Sequence, residues 1–296
     1  MSAPPTVRLA AVAYVWGAAH QDRLLLEQLG PAAGELRREG LLHGFFWDRY
    51  DARGPHLFAV LTIPEAAAPD VSGRLAARLA GHLADHPSPV ELTPEQLARR
   101  HAETLGRRQC EADGRPGFAA NNTFEILEHP PRGYPFRLSE GLAGEEELWR
   151  LAADLMLWTI GELAPRPGAP AAAAARRWTA SVDRELRLAG VRTAEYWRYH
   201  AATLIPALAG MGPEEEAAAL AGMAARVGDR GGDLASAWRE VAAAGPVWPG
   251  LPRLVRLALG VGVWDLLREI DHATLKQLGL PVAFHIPQVL HAWRQG

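Results

Sequence analysis

The sequence predicts an α+β fold: a mostly antiparallel sheet with a ferredoxin-like opening, covered by a large helical layer. Three observations predict it. Residues 1–143 alternate strand and helix patterns, and residues 144–280 form one helical pattern after another. Residues 281–296 join a short apolar stretch to a helix start. Strands followed by a run of helices are typical of the α+β class.

The sheet-rich part begins with a strand, a helix and a hairpin. Apolar runs predict strands at 8–16, 42–50 and 56–63, and leucine spacing predicts a helix at 22–39. Residues 51–55 have the composition of a turn. Further elements are a helix at 72–84, a helix at 93–107 opened by a capping box of Thr93 and Gln96, and a strand at 122–128. This order predicts a ferredoxin-like arrangement.

The helical part is divided by glycine and proline. Its predicted helices are 145–163, 171–189, 193–208, 213–227, 233–243 and one or two within 251–278. The terminal segment is predicted as a strand near 281–284 that returns to the sheet, followed by a helix. Pro287 suits the first helical position, which places His285 just before this helix and Gln288 in its first turn. We therefore predict one domain over 1–296, with 165–170 as the only candidate linker.

Composition excludes several classes of function. The chain has 296 residues with 31 basic and 34 acidic side chains and a formal net charge of −3, which gives no electrostatic reason to bind nucleic acid or a membrane surface. Cys110 is the sole cysteine, so an intrachain disulfide and a cysteine-based metal site are excluded. No apolar run is long enough to span a bilayer, and the first residues lack signal-peptide features, so we expect a cytoplasmic protein.

Common cofactor and catalytic motifs are absent. The sequence has no Walker A loop, no G-x-G-x-x-G, no H-E-x-x-H and no G-x-S-x-G. His82 and His86 lie four residues apart on a predicted helix, a spacing that suits a metal pair. No third ligand follows from the sequence, and surface histidines are favoured. We expect no metal and no cofactor.

Several stretches resemble a known family. They are 14–17 (YVWG), 21–25 (QDRLL), 41–50 (LLHGFFWDRY), 54–57 (GPHL), and the terminal His285 with its helix. Together they resemble the thiopeptide-type bacteriocin biosynthesis domain, which is the C-terminal glutamate-elimination unit of lantibiotic dehydratases. The resemblance implies a free-standing relative of that unit.

Two departures from the family pattern narrow the function that the resemblance implies. Elimination domains follow the histidine at His56 with alternating arginines that grip a glutamyl carboxylate, whereas this chain continues LFAVL at 57–61. Their next glutamate–arginine signature is replaced by residues 121–135. Without these arginines, binding of a γ-glutamyl ester has no obvious electrostatic basis.

The chain is thus most similar to the thiopeptide pyridine synthases. These enzymes join two dehydroalanines of a modified precursor peptide by a formal aza-[4+2] cycloaddition, with loss of water and the leader peptide. The alternatives are glutamate elimination by a split dehydratase and a non-catalytic subunit that presents peptide to partner enzymes. The expected partner is a precursor peptide with a leader and a core of azoles and dehydroalanines, and no short motif identifies the leader-binding surface.

Such a cyclisation needs a held substrate and neutral proton donors and acceptors. The predicted catalytic residues are His285, Gln288, Tyr199 and Ser181. His285 ranks first because it matches the family's closing histidine motif. The predicted substrate-binding residues are Tyr196, Trp197, His200 and Glu125. An aromatic stripe at helical spacing is also typical of a core, and Glu125 also suits ordinary cross-strand pairing.

Overall fold

A computed structural model describes most of the chain. The described residues are 5–50, 53–105, 117–128, 141–163, 169–208, 211–227, 232–260, 262, 264–278 and 282–295. Cys110 and the centre of the predicted linker lie outside them. The contacts separate into two compact units, Met1–Gly161 and Glu162–Gly296. The α+β class is confirmed, and the single domain over 1–296 stays a prediction.

The first unit is built on a four-stranded sheet. Its strands are β1 (Thr6–Tyr14), β2 (Gly44–Tyr50), β3 (His56–Pro64) and β4 (Thr123–Leu127). The strand order is β2-β3-β1-β4, and all three neighbouring pairs are antiparallel. Helices connect β1 to β2 and β3 to β4. This is the ferredoxin-like topology, so the predicted opening of the fold is confirmed.

Five α-helices belong wholly or largely to this unit: α1 (Ala18–Leu24), α2 (Gly30–Arg38), α3 (Ala68–Asp85), α4 (Pro94–Leu105) and α5 (Glu145–Leu163). The helix predicted at 22–39 is interrupted by a π-helical turn, Leu25–Leu29. The predicted capping box is confirmed at α4. The backbone N–H of Thr93 donates to Gln96 Oε1 at 2.8 Å, and the N–H of Gln96 donates to Thr93 Oγ1 at 3.3 Å.

Asn121 ties the loop before β4 to two other segments. Its Oδ1 accepts from the backbone N–H of Trp16 at 2.9 Å, and its Nδ2 donates to the carbonyls of Ser88 and Val90 at 3.1 and 2.8 Å. The neighbouring Asn122, at φ +60°, donates to the same Ser88 carbonyl at 3.0 Å. The two amides satisfy backbone groups of the loop 88–90 that no strand reaches.

The second unit is helical throughout its described residues. It contains α6 (Ala169–Leu188), α7 (Thr193–Leu204), α8 (Pro213–Val227), α9 (Gly232–Ala244), α10 (Leu251–Gly260), α11 (Trp264–Gln277) and α12 (Val282–Gln295). The predicted helical layer is confirmed. The pattern at 251–278 forms two helices, with Gly262 at φ +71° between them. No described helix is both long enough and apolar enough to cross a membrane.

The predicted C-terminal strand is wrong over 282–284. These residues are the first turn of α12, which packs against α6, α7 and α8, and Pro287 lies inside the helix rather than at its start. A short apolar run fits a buried helix as well as a strand, and periodicity does not separate the two. At this position, beyond the first turn, the proline removes the hydrogen bond that a backbone N–H would give to the carbonyl four residues earlier.

Asn121→Ala is expected to destabilise the first unit by about 2–4 kcal/mol, because several hydrogen bonds are lost and buried backbone groups are left unpaired. Urea unfolding measures this change. Asn121→Asp is the matched comparison: it keeps the acceptor for Trp16 but places a carboxylate oxygen against the carbonyls of Ser88 and Val90, so we expect a loss at least as large as that of Asn121→Ala. An Asn121→Ala protein as stable as wild type would contradict this role.

Candidate active site

Titratable side chains meet where three helices of the second unit come together. His200 lies on α7, Asp271 and His272 lie on α11, and His285 lies on α12. His200 Nδ1 is 3.2 Å from Asp271 Oδ2, and the ring centres of His272 and His285 are 6.0 Å apart. We call these four residues the histidine cluster. Three of them, His200, Asp271 and His285, are at most 1% exposed.

Burial makes the charged forms of the cluster unfavourable. It lowers the pKa of His200 well below its ordinary value, and His272, Arg268 and His285 add to this effect. Burial also lowers the pKa of His285 to about 4. His272 contributes to this lowering, whereas the Leu275 carbonyl acts to raise the pKa. Burial raises the pKa of Asp271 to about 7, against a hydrogen bond from Trp178. Near neutral pH, the imidazoles of His200 and His285 are therefore neutral.

Several buried polar atoms here lack a hydrogen bond of standard geometry within the described residues. They are both ring nitrogens of His200, both ring nitrogens of His285, Asp271 Oδ2 and the Tyr196 hydroxyl. His200 Nδ1 and Asp271 Oδ2 still face each other at 3.2 Å, and the Leu275 backbone lies near the His285 ring, but neither contact has standard hydrogen-bond geometry. Such atoms are rare in native proteins because each costs about 1–3 kcal/mol. Their concentration in one place is typical of a functional site rather than of a plain core.

A more accessible group of side chains lies beside the histidine cluster on two of these helices, α7 and α11. The Tyr199 hydroxyl donates to Asp265 Oδ1, and Arg268 Nε donates to that oxygen at 3.3 Å. The Arg268 guanidinium carbon is 5.9 Å from the centre of the Tyr199 ring, and the Trp264 ring is 6.5 Å from it. We call Tyr199, Trp264, Asp265 and Arg268 the tyrosine–carboxylate patch.

The patch has the properties of a neutral donor site. The pKa of Tyr199 is raised by burial and by its hydrogen bond to Asp265, so the hydroxyl keeps its proton at neutral pH. All four side chains are partly exposed, and the Asp265 side chain is 45% accessible. Tyr196 connects the patch to the cluster, because its ring is 6.1 Å from both Trp264 and His200.

The structure places two of the predicted catalytic residues differently from the sequence analysis. His285 lies in the first turn of α12 rather than before it, and Gln288 lies in the second turn rather than the first. Gln288 is 1% exposed; its Nε2 donates to the Phe284 carbonyl and its Oε1 accepts from Thr179 Oγ1, both at 3.0 Å. The expectation that Gln288 lies in the first turn of its helix is therefore wrong, while its catalytic role stays a prediction.

Ser181 and Trp197 make contacts inside the second unit. Ser181 joins α6 to the segment after α9, and Trp197 joins α7 to α6. Ser181 Oγ donates to the Arg177 carbonyl at 2.7 Å and accepts from the backbone N–H of Val247 at 3.1 Å. Trp197 Nε1 donates to Asp183 Oδ1 at 2.8 Å. The other oxygen of Asp183, Oδ2, accepts from Trp238 at 3.1 Å and from Arg187 at 3.0 Å. Asp183 is thus a buried acceptor shared by three donors, which the sequence analysis missed.

The aromatic residues predicted to bind substrate are fully enclosed. Tyr196 and Trp197 are 0% exposed and His200 is 1% exposed. Their rings pack on each other: the centres of Trp197 and His200 are 5.7 Å apart and nearly parallel. In this conformation they offer no face to a peptide, and their assignment as substrate-binding residues stays a prediction.

Glu125 lies in the first unit, on β4. Its partner across the sheet is Val12, yet its carboxylate accepts from Arg53 at 3.2 Å. Arg53 stands in the β2–β3 turn at φ +57° and also donates to the Tyr14 hydroxyl at 2.9 Å. Arg49 of the same hairpin pairs with Asp22. Both guanidinium groups are thus already opposed by carboxylates.

Comparison with known proteins identifies the family. The family described as lantibiotic biosynthesis dehydratase C-term matches residues 10–236, and the chain belongs to it. The fold is similar to that of the pyridine synthase TbtD from thiomuracin biosynthesis, with a TM-score of 0.67 and 19% identity. That alignment covers 98% of this chain and 97% of the other. Both descriptions are of biosynthetic enzymes. A search of curated proteins finds no significant match.

His285→Gln is expected to make the protein less sensitive to acid. The pKa of His285 in the folded protein, about 4, lies below the ordinary 6.5. The unfolded chain therefore takes up the proton first, so the stabilisation is present above pH 6.5 and is lost as the pH falls towards 4. The difference corresponds to about 3 kcal/mol. Asp271, whose pKa is raised, acts in the opposite direction, so each variant is compared with wild type.

Urea unfolding between pH 4.5 and 7.5 measures the effect. Gln288→Leu is the control, because it changes a buried polar group on the same helix that carries no titrating proton. It should shift stability equally at every pH. Identical pH slopes for wild type and His285→Gln would contradict the burial of a neutral His285.

Proposed function

We propose that this protein is a pyridine synthase of thiopeptide biosynthesis. It would join two dehydroalanines of one modified precursor peptide by a formal aza-[4+2] cycloaddition. Membership of the dehydratase C-terminal family and a fold like that of a pyridine synthase over 98% of the chain support this class of reaction. The enzyme would release water and the leader peptide and leave a pyridine within a macrocycle.

Residues of the β2–β3 hairpin favour cycloaddition over glutamate elimination as the reaction of this protein. The five residues after His56 are apolar and buried, where an elimination domain is expected to hold arginines. The two arginines of the hairpin that the structure describes, Arg49 and Arg53, pair with Asp22 and Glu125. A glutamyl carboxylate would have to displace one of these acids, whereas an uncharged dehydroalanine substrate makes no such demand.

The cycloaddition requires protons to move at an amide of the substrate, and neutral donors and acceptors are sufficient for this. One dehydroalanine amide must lose its N–H proton and gain a proton on its oxygen to become the azadiene. Two new C–C bonds to the second dehydroalanine then close a hydroxylated tetrahydropyridine, whose nitrogen comes from the amide. Loss of water and of the leader as a carboxamide gives the aromatic ring. A neutral hydroxyl next to a carboxylate can serve both proton transfers at one amide.

The tyrosine–carboxylate patch suits that role. Tyr199 is the proposed donor to the amide oxygen and Asp265 the proposed acceptor, because the two are hydrogen-bonded and partly exposed. His285 and His200 are the proposed neutral residues behind the patch, which keep its surroundings uncharged. Gln288 and Ser181 are the proposed positioning residues, since each joins α6 to another segment of the unit.

Tyr199→Phe is expected to slow formation of the pyridine macrocycle by about 10²-fold while leaving peptide binding intact, because the donor is lost and the ring remains. Mass spectrometry of the macrocycle and the released leader, with fluorescence polarisation for binding, gives both quantities. Tyr196→Phe is the matched control and should change the rate by less than about tenfold, since that hydroxyl is enclosed. Equal rates for wild type and Tyr199→Phe would contradict the assignment.

Elimination of glutamate remains the alternative reaction, because the matching family is that of a dehydratase domain. Two substrates separate the possibilities: a glutamylated peptide, and a dehydrated peptide that bears azoles. We expect a macrocycle and a free leader carboxamide from the second and no turnover of the first. Glutamate release from the first peptide would establish the elimination reaction, and binding without turnover of either would establish a peptide-presenting subunit.

A further inference from the structure

A second group of ligand-type side chains lies in the first unit. Glu27 stands in the π-helical turn Leu25–Leu29, and His82 and His86 stand at the C-terminal end of α3. Each offers one ligand atom, and the three atoms lie within 4.8 Å of one another. Across the described part of the chain, this is the only set of three histidine, cysteine or acidic side chains that meets this limit.

His82 carries the strongest indication of a ligand. The residue is 5% exposed, so the expectation of a surface histidine is wrong here. Its Nδ1 has no hydrogen bond within the described residues and faces Glu27 Oε2 at 3.8 Å. A buried nitrogen aimed at a carboxylate beyond hydrogen-bond reach leaves room for an ion.

The spacing of these atoms is close to that of a zinc site. Zinc lies about 2.0–2.2 Å from imidazole nitrogen and carboxylate oxygen, so ligand atoms in a tetrahedral site are roughly 3.3 Å apart. The distance of 3.8 Å between His82 and Glu27 needs only a small adjustment. His86 follows His82 by one helical turn, and the two ring centres are 5.2 Å apart.

The positively charged side chain of Arg23 contacts two members of this group, Glu27 and His86. Its Nε donates to both carboxylate oxygens of Glu27, at 2.9 and 3.0 Å, and its NH2 nitrogen lies 3.2 Å from His86 Nε2. The side chain of Arg23 is 46% exposed, so it can rotate into solvent when a metal binds.

We propose that Glu27, His82 and His86 form a binding site for Zn²⁺, with two imidazoles, one carboxylate and a fourth position for water. The location of Glu27 supports this, because π-helical turns are uncommon and occur often at functional sites. The ion would join the π-helical turn to the end of α3. Binding there would stabilise the first unit.

Calorimetric titration of chelator-treated full-length protein with ZnCl₂ tests the site. We expect uptake of one ion per chain and a rise in the melting temperature, and Co²⁺ should give the visible absorption of a tetrahedral complex. His86→Ala and Glu27→Gln should abolish stoichiometric binding while the melting temperature without metal changes little, since both side chains are accessible. His43→Ala, which removes a half-buried histidine outside the group, should bind as wild type.

Arg23→Met provides the sharpest comparison. It removes the competing cation and leaves all three ligands, so zinc should bind at least about tenfold more tightly. A purely structural ion-pair network would instead lose stability in Arg23→Met and gain no affinity. Absence of zinc uptake by the wild type, or stoichiometric binding that survives both His86→Ala and Glu27→Gln, would overturn the proposal.

Discussion

The packing of α7, α11 and α12 depends on keeping the two histidines enclosed between them uncharged. His200 and His285 are enclosed with Asp271, and burial lowers the pKa values of both histidines while it raises that of the acid. An isolated charge in such a place would cost far more than a neutral polar group. Three helices, α7, α11 and α12, can therefore pack closely here only if the side chains between them stay neutral. The same neutrality defines the surroundings of the partly exposed patch beside them.

This constraint connects the fold to the proposed chemistry. A reaction between two uncharged alkenes gains little from a fixed positive charge, and it needs donors that hold their protons at neutral pH. Tyr199 meets that need because burial and Asp265 both raise the pKa of its hydroxyl. In the first unit, Arg53 is neutralised by Glu125.

Much of the fold could be predicted because its determinants are local. Apolar runs and turn composition predict the order of strands, and Thr93 with Gln96 forms the predicted capping box. The C-terminal strand was wrong because the short apolar run at 282–284 carries no period that separates strand from helix. Pro287 was then placed at a helix start that lies several residues earlier.

The sites were harder to predict because their residues are distant in sequence. Asp271 and His272 have the spacing of ordinary polar residues on an amphipathic helix, and only tertiary packing brings them to His200 and His285. Glu27 is likewise distant in sequence from the α3 histidines, so the sequence alone does not indicate that they are neighbours. The family resemblance indicates His285 but not its position within α12, and the expected place of His285 ahead of a helix start is wrong because the helix begins at Val282.

The most direct test of the central claim is a pH titration of the protein labelled with ¹⁵N at the histidine rings. We predict that two ring systems, assigned to His200 and His285 by the variants His200→Gln and His285→Gln, keep the shifts of neutral imidazole at pH 6, because burial lowers the pKa values of both residues. Imidazolium shifts for these two residues at pH 6 would contradict it, since the helices would then enclose positive charge.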